Sequence, residues 1–252
     1  MTEQTVFLRL GPFTAALTTP FADVVAQLKL LYPPQFFPKS ADFADFLVAL
    51  LPGKGLRRVF RPQARFLIDG HEHFKPLPRS QALPLVEWDL TYAIAGLIHR
   101  GWRLLSDELA LIRRSDGHIV PLARPVNLKN ESIALMQRFA PSAVFSAPAH
   151  DTAKGTVALM RAPEDSLVRV GQAAPPGWIV FPQWRKGEPA RLTPFSKPAG
   201  LVELGHTAMN YSLHETQGFE LLADIFAGSG CYRFTYGDLN EAASAMNALA
   251  AA

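Results

Sequence analysis

One stretch constrains the fold of this chain more than any other. "SQALPLVEWDLTYAIAGLIHRG", from Ser80 to Gly101, runs directly into the apolar "WRLL" of Trp102 to Leu105 and then into Ser106-Asp107-Glu108. Leu85, Trp88, Tyr92, Ala95 and Ile98 recur at helical spacing, Ser80 can cap the start, and Gly101 can end the helix. The four residues after it, three of them apolar, read as a core strand. A helix feeding a buried strand predicts an α/β sheet, and such sheets bind ligands beyond the carboxyl ends of their strands. Asp107 and Glu108 are therefore predicted near the surface at a strand end, because burying two unpaired carboxylates costs several kcal/mol each. Adjacent strand residues point to opposite faces, so one would contact a metal or hydroxyl directly and the other would act behind it. A solvated hairpin end is the plainer alternative.

The remaining elements follow from the same signals. "TVFLRLGPFTAALTT" reads as two short strands broken at Gly11-Pro12, and "FADVVAQLKLLY" sets Phe21, Val24, Val25, Leu28 and Leu31 on one helical face. "FADFLVALL" alternates as a strand, and strands flank the tight turn Asp69-Gly70. "WRLLSDELALIRR" and "HIVPLARPV" flank Asp116-Gly117 as a hairpin. Asn130 can cap the helix "NESIALMQRFA", which Pro141 follows. "GTVALMRAP" and "GWIVFPQW" are strands, the second fully buried by composition. Two amphipathic helices, the strand "CYRFTYG" and a closing helix capped by Asp238 complete the chain. The reading is α/β with a β-rich N-terminal region with one helix over 1–80 and an α/β domain over 81–252, together one compact unit.

Composition narrows the function classes. The chain has 252 residues, 48% hydrophobic and 19% charged, which suits a folded globular protein. A formal charge of +3 suits an anionic ligand but is too small and too scattered to argue for nucleic acid. No apolar run reaches the roughly 18 residues of a membrane span. No signal peptide is visible at the N-terminus, and the lone Cys231 suits a reducing compartment, so a cytoplasmic protein is expected.

Several residues outside the carboxylate pair have chemistry to offer. Lys129 in "RPVNLKNES" and Lys154 in "HDTAKGTV" lie in polar loops, where a lysine can hold phosphate as a point charge, with Arg124 and Arg161 as companions. Most loop lysines are merely solvated. His150-Asp151 could pair as acid and base, although a turn role for Asp151 is simpler. His71-Glu72-His73 lacks a third ligand at a diagnostic spacing. The basic cluster Arg57, Arg58, Arg61 and Arg65 is explained as well by a solvated sheet face. Cys231 reads as a small core residue, and no serine, Ser106 included, sits in a hydrolase elbow.

At "HRGWRLLSDELALI", "RPVNLKNESI", "FAP", "HDTAKGTVALM" and "WIVFPQW" the chain resembles the HPr-kinase-related proteins, in particular the branch called HprK-related kinase A. The phrases match in order from near the N-terminus through the closing helix. The resemblance implies a remnant of the HPr kinase and phosphoenolpyruvate carboxykinase-like P-loop fold, and ATP-dependent phosphoryl transfer to a protein or small-molecule acceptor. It implies magnesium and ATP as cofactors, Asp107 as the catalytic carboxylate, and Asp107 and Glu108 as magnesium contacts. Lys129, Lys154 and Arg161 are candidates for phosphate binding by their loop positions, independently of the resemblance. In such proteins "EWxLxxxIA" is followed by a strand pair and the G-x-x-x-x-G-K-[ST] cradle. Here "EWDLTYAIA" at Glu87 to Ala95 passes straight into "GLIHRGWRLLSDE", so the segment is deleted between Ala95 and Gly96 and no Walker A residues remain. One continuous helix from about Leu83 to His99 is predicted across the join. The expectation is a kinase relative, impaired or inactive, that binds ATP weakly or not at all. The alternatives are a non-catalytic binding module and a non-functional deletion product. The phosphate acceptor is unknown, neither nucleic acid nor membrane is expected as partner, and assembly into an oligomer is left open.

Overall fold

The computed structural model describes residues 3–10, 13–55, 60, 62–72, 75–81, 97–208 and 211–252. The chain divides into two compact units, Met1–Leu109 with Leu122–Gly171, and Ala110–Pro121 with Gln172–Ala252. Among the described residues it is a mixed α/β protein with several small sheets.

The first unit opens with β1 (Gln4–Leu10) and β2 (Phe13–Thr19), an antiparallel pair on either side of Gly11-Pro12. Helix α1 (Ala22–Leu31) then carries the chain to β3 (Phe46–Pro52), which pairs with β2 in parallel. Parallel neighbours need such a crossover, because a tight hairpin reverses direction. The predicted helical face is the buried one: Phe21, Val24, Val25, Leu28 and Leu31 all lie in the core. Thr19 fastens the crossover, its hydroxyl donating to the Leu50 carbonyl at 2.9 Å and accepting from the Phe21 N–H at 3.1 Å. β4 (Gln63–Ile68) and β5 (His71–Glu72) continue the sheet around Asp69-Gly70, and β6 (Leu77–Pro78) also pairs with β4.

A second sheet of the same unit has the order β10–β11–β9, built from β9 (Val126–Lys129), β10 (Ala149–Thr152) and β11 (Gly155–Met160). Helix α2 (Glu131–Phe139) follows β9, and the single turn α3 (Glu164–Val168) follows β11. β11 is central, and its residues Val157 to Met160 are buried on both faces.

The second unit contains the hairpin β7 (Leu111–Ile112) and β8 (Ile119–Val120) around Asp116-Gly117. Its sheet has the order β12–β14–β13: β12 (Trp178–Trp184) runs parallel to β14 (Gly230–Tyr236), and β13 (Arg191–Pro194) runs antiparallel. Helices α4 (Lys197–Gly205), α5 (Tyr211–Gly228) and α6 (Leu239–Ala251) complete the unit. Asp238 caps α6 as expected, its Oδ1 accepting the N–H groups of Asn240 and Glu241.

Four expectations need correction. Trp102 to Leu105 form no strand. Their backbone bonds go elsewhere: the Leu104 N–H donates to Ser166 Oγ at 2.9 Å, and the Leu105 carbonyl accepts from the Leu122 N–H at 2.6 Å. Only Leu104 of the run is fully buried, the other three being half-buried, and apolar content alone does not distinguish strand from irregular chain. β12 is not fully buried, since it lies at a sheet edge with Trp178 and Trp184 exposed by 40% and 60%. Asn130 precedes α2 but does not cap it with its side chain, which is engaged elsewhere. Asp107 is not at the surface; only 3% of it is exposed. The continuous helix predicted from Leu83, with its join at Ala95-Gly96, lies outside the described residues. The described residues of this stretch begin at Leu97 and Ile98, which are helical, and Gly101 takes a positive φ of 92° while the Trp102 N–H reaches back to the Leu97 carbonyl at 3.4 Å. That six-to-one bond closes a helix on a left-handed glycine.

Candidate functional site

The site is built on the outer edge of β9. In the antiparallel register Lys129 pairs with Val157 and Asn127 with Leu159. The N–H groups of Asn127 and Lys129 point away from β11. Neither meets another strand among the described residues. Asp107 Oδ2 accepts from the Asn127 N–H at 3.4 Å, a long hydrogen bond. Ser132 Oγ accepts from the Lys129 N–H at 2.8 Å and donates to the Lys129 carbonyl at 2.6 Å. Two side chains thus occupy ladder positions that a neighbouring strand would fill.

Ser106 shapes the turn that presents the carboxylates, accepting from the N–H groups of Glu108 and Leu109 at 3.3 and 3.1 Å. Asp107 then turns inward and Glu108 partly outward. Burial pushes the Asp107 carboxyl up to about 7, and the adjacent Glu108 charge adds to the rise. The Arg124 guanidinium and the Asn127 N–H oppose it. Glu108 meets Arg124 at 3.1 Å in a half-buried ion pair, and burial still raises its carboxyl against the pull of Arg124 and Lys129. Neighbouring residues in one turn therefore differ in kind. Asp107 can exchange a proton near neutrality, while Glu108 anchors a cation.

Lys129 and Lys154 lie 25 residues apart in sequence, but their loops are one structure. Asn130 joins them. Its N–H donates to the Thr156 carbonyl at 2.8 Å, its Oδ1 accepts from the Thr156 N–H at 3.0 Å, and its Nδ2 donates to the Lys154 carbonyl at 3.3 Å. Asn130 holds φ 48° and ψ −121°, a positive-φ conformation outside the left-handed α well and costly for a residue with a side chain. Gly155, with φ 83°, presses so closely on this amide that a Cβ there would lie 2.2 Å from Asn130 Oδ1. The turn between β10 and β11 is tied further by Thr152 Oγ1, which donates to the Gly155 carbonyl at 2.7 Å and accepts from the Lys154 N–H at 3.1 Å. Asp151, expected in a turn, lies instead within β10, where the pairing with β11 shifts register and its φ is 55°.

The structure brings Asp107, Glu108, Arg124 and Lys129 together and ties the Lys154 loop to them through Asn130. It does not bring Arg161 there. Arg161 follows the far end of β11, seven residues and roughly 22–24 Å of extended chain from Lys154, and pairs with Glu164 at 2.7 Å. His150 contacts Thr156 Oγ1 through Nδ1 at 3.2 Å, not Asp151. No group of three or more His, Cys, Asp or Glu residues able to hold a metal exists among the described residues. His73 and Arg57, Arg58 and Arg61 lie outside those residues, while Arg65 pairs with Glu72 at 2.9 Å. Sequence reasoning passed over Asn127 and gave Asn130 only a helix-capping role. Asn127 had a readable signal, because an amide inside the apolar run "RPVNL" is a buried polar group, and Asn127 is 7% exposed.

No family model, curated protein or solved structure matches the chain. No helix is long and apolar enough to cross a membrane among the described residues.

Proposed function

We propose that this chain is an HPr-kinase-related phosphotransferase relative that keeps the acid–base carboxylate and phosphate-facing lysines but has lost the nucleotide cradle. The observation that carries the reading is Asp107: a carboxyl held near neutrality by burial, beside a second carboxylate and two tied lysine loops. A group titrating near ambient pH is suited to accept a proton from an attacking hydroxyl. Lys129 and Lys154 supply positive charge for a single phosphate group.

Magnesium and ATP are the cofactors this reading implies, and the residues fit them poorly. Asp107 and Glu108 would hold the metal, yet Glu108 is committed to Arg124 and Asp107 to the β9 edge. A magnesium ion would have to displace both partners and take Asp107 as an anion. A Walker cradle works through successive backbone N–H groups, a lysine and a Ser/Thr–magnesium contact, and the sequence has none with that spacing. Exposed charge contacts of about 1 kcal/mol each do not reach the roughly 8 kcal/mol of micromolar affinity. Calorimetric titration of the folded chain with magnesium–ATP tests this. The expected result is no saturable binding at low micromolar concentration. A low-micromolar dissociation constant that disappears in Asp107→Ala would mean that a working kinase site survives.

A second reading, a non-catalytic binding module, is favoured by the engagement of both carboxylates with the protein itself. It predicts that Asp107→Asn leaves phosphate binding unchanged, since the substituted amide oxygen can still accept from the Asn127 N–H.

A further inference from the structure

We infer that Arg124 is the built-in counter-ion of Asp107 and Glu108, and that its hold on Glu108 keeps a divalent cation from the site. The inference takes only the expectation of a metal from the phosphotransferase reading; the closure stands on the ion pair itself.

The guanidinium is set in place by the backbone beneath it. The Arg124 N–H donates to the Leu122 carbonyl at 2.9 Å, and the Leu122 N–H donates to the Leu105 carbonyl at 2.6 Å. The segment carrying Arg124 is therefore fastened to the segment that enters the Ser106 turn. That turn fixes the other partner, because Ser106 Oγ accepts from the Glu108 N–H at 3.3 Å. Arg124 Nη2 then meets Glu108 Oε2 at 3.1 Å, with 22% and 18% of the two side chains exposed. A half-buried pair is screened less than a surface pair, so ions from solvent displace it less readily. The charge of Arg124 favours the ionised form of both carboxyls, and Lys129 also attracts Glu108.

A metal ion meets an unfavourable balance there. Magnesium and manganese(II) are hard cations held by carboxylate oxygens, often by one or two with water completing the shell. Among the described residues no third His, Cys, Asp or Glu joins this pair in a metal-binding group. Asp107 is 3% exposed, and its Oδ2 accepts from the Asn127 N–H. Glu108 is thus the carboxylate nearer solvent, and it is the one that Arg124 holds. An incoming ion would bring two positive charges beside a fixed guanidinium and would have to take Glu108 from it. Two carboxyls offer no surplus of negative charge to offset that repulsion. Without the guanidinium charge the balance reverses. Glu108 becomes a half-buried anion that has lost this counter-charge, and a divalent cation can supply it.

The test is binding of manganese(II) to the full chain, read by electron paramagnetic resonance of the free ion. It compares wild type, Glu108→Gln, Arg124→Lys and Arg124→Met, and Arg124→Met combined with Glu108→Gln or with Asp107→Asn. Methionine preserves much of the apolar stem of arginine and removes the charge. Wild type and Arg124→Lys should show no saturable binding, and Arg124→Met should bind at least about tenfold more tightly than either. Adding Glu108→Gln should abolish that gain, and adding Asp107→Asn should reduce it. Wild-type binding that disappears in Glu108→Gln would overturn the inference, because the site would then be open with Arg124 in place. So would a folded Arg124→Met that binds no better than wild type, or a gain that persists when Glu108→Gln is added. An equal gain in Arg124→Lys would overturn it as well, since the charge is still present. Should Arg124→Met not fold, Arg124→Gln takes its place, neutral and able to donate a hydrogen bond to Glu108, with the same outcomes. The magnesium–ATP titration of wild type judges the phosphotransferase reading separately, so the two can fail independently.

Discussion

The sheets β10–β11–β9 and β12–β14–β13 have three strands each, yet they manage burial in opposite ways. In the first, apolar side chains are buried on both faces of the central strand, and the outer edge of β9 is occupied by polar side chains. In the second, the edge strand β12 is the more apolar in sequence but leaves Trp178 and Trp184 in solvent. The aromatics of this second sheet work locally: Phe234 stacks on Tyr236 at 5.2 Å, and Arg233 lies 4.0 Å over Phe195 while pairing with Glu203. Apolar content therefore says where a strand can be buried. The polar residues around it say whether it is, and whether a site grows there. Asn127, Asp107 and Ser132 mark the first sheet in this way, and β12 has no counterpart.

The largest test of that contrast is truncation in the two sheets. Leu159→Ala, in the buried centre of β11, should cost about 2–5 kcal/mol by denaturant unfolding. An equal effect for Trp184→Ala would show that the two sheets are buried alike. Next is the pH dependence of Asp107. Its folded-state carboxyl titrates at about 7 against an ordinary value of 3.8, so the folded state binds more protons between those values. Stability contributed by the protonated carboxyl is present in full below about 4 and is lost as pH rises through about 7. Asp107→Asn should therefore be more stable than wild type at pH 8, by on the order of 2 kcal/mol, with the gap closing towards pH 4. A pH-independent difference would show that Asp107 is not held as an acid. Gly155→Ala follows, destabilising by roughly 1–3 kcal/mol because alanine meets both the left-handed backbone and the Asn130 amide. Thermal unfolding reads it, and a neutral result would mean that the contact between Gly155 and Asn130 is slack. Smallest is Trp184→Ser, expected within about 0.5 kcal/mol on the same assay, as for other surface positions.

Much of the fold was legible where period and punctuation agreed. The buried face of α1, the turns at Asp69-Gly70 and Asp116-Gly117, the Gly101 terminus and the Asp238 cap all follow from local chemistry. The candidate site was legible only in part. Asp107, Glu108, Lys129 and Lys154 stand out as residue types, but their association depends on the β9–β11 register and on Asn130, which are long-range facts. "WRLL" misled because irregular buried chain and strand have the same composition. Asp107 misled because a carboxylate next to a charged neighbour reads as exposed, whereas a turn lets one residue face in and the next face out. Arg161 was grouped with the lysines as a cation of the right type, and the length of β11 separates it from Lys154.

The edge of β9 shows how a sheet can stop. An open strand edge is a template, and copies of a chain that expose one can join end to end without limit. Among the described residues, two oxygens, one from Asp107 and one from Ser132, take successive outward ladder positions of β9. Both are single-residue devices, and both are buried, at 3% and 2% exposure. A strand edge can therefore be ended from inside the protein, by side chains that stand in for a neighbouring strand's carbonyls. Removing both, as in a Ser132→Ala and Asp107→Leu double variant, leaves two N–H groups of β9 without these acceptors, a destabilising change.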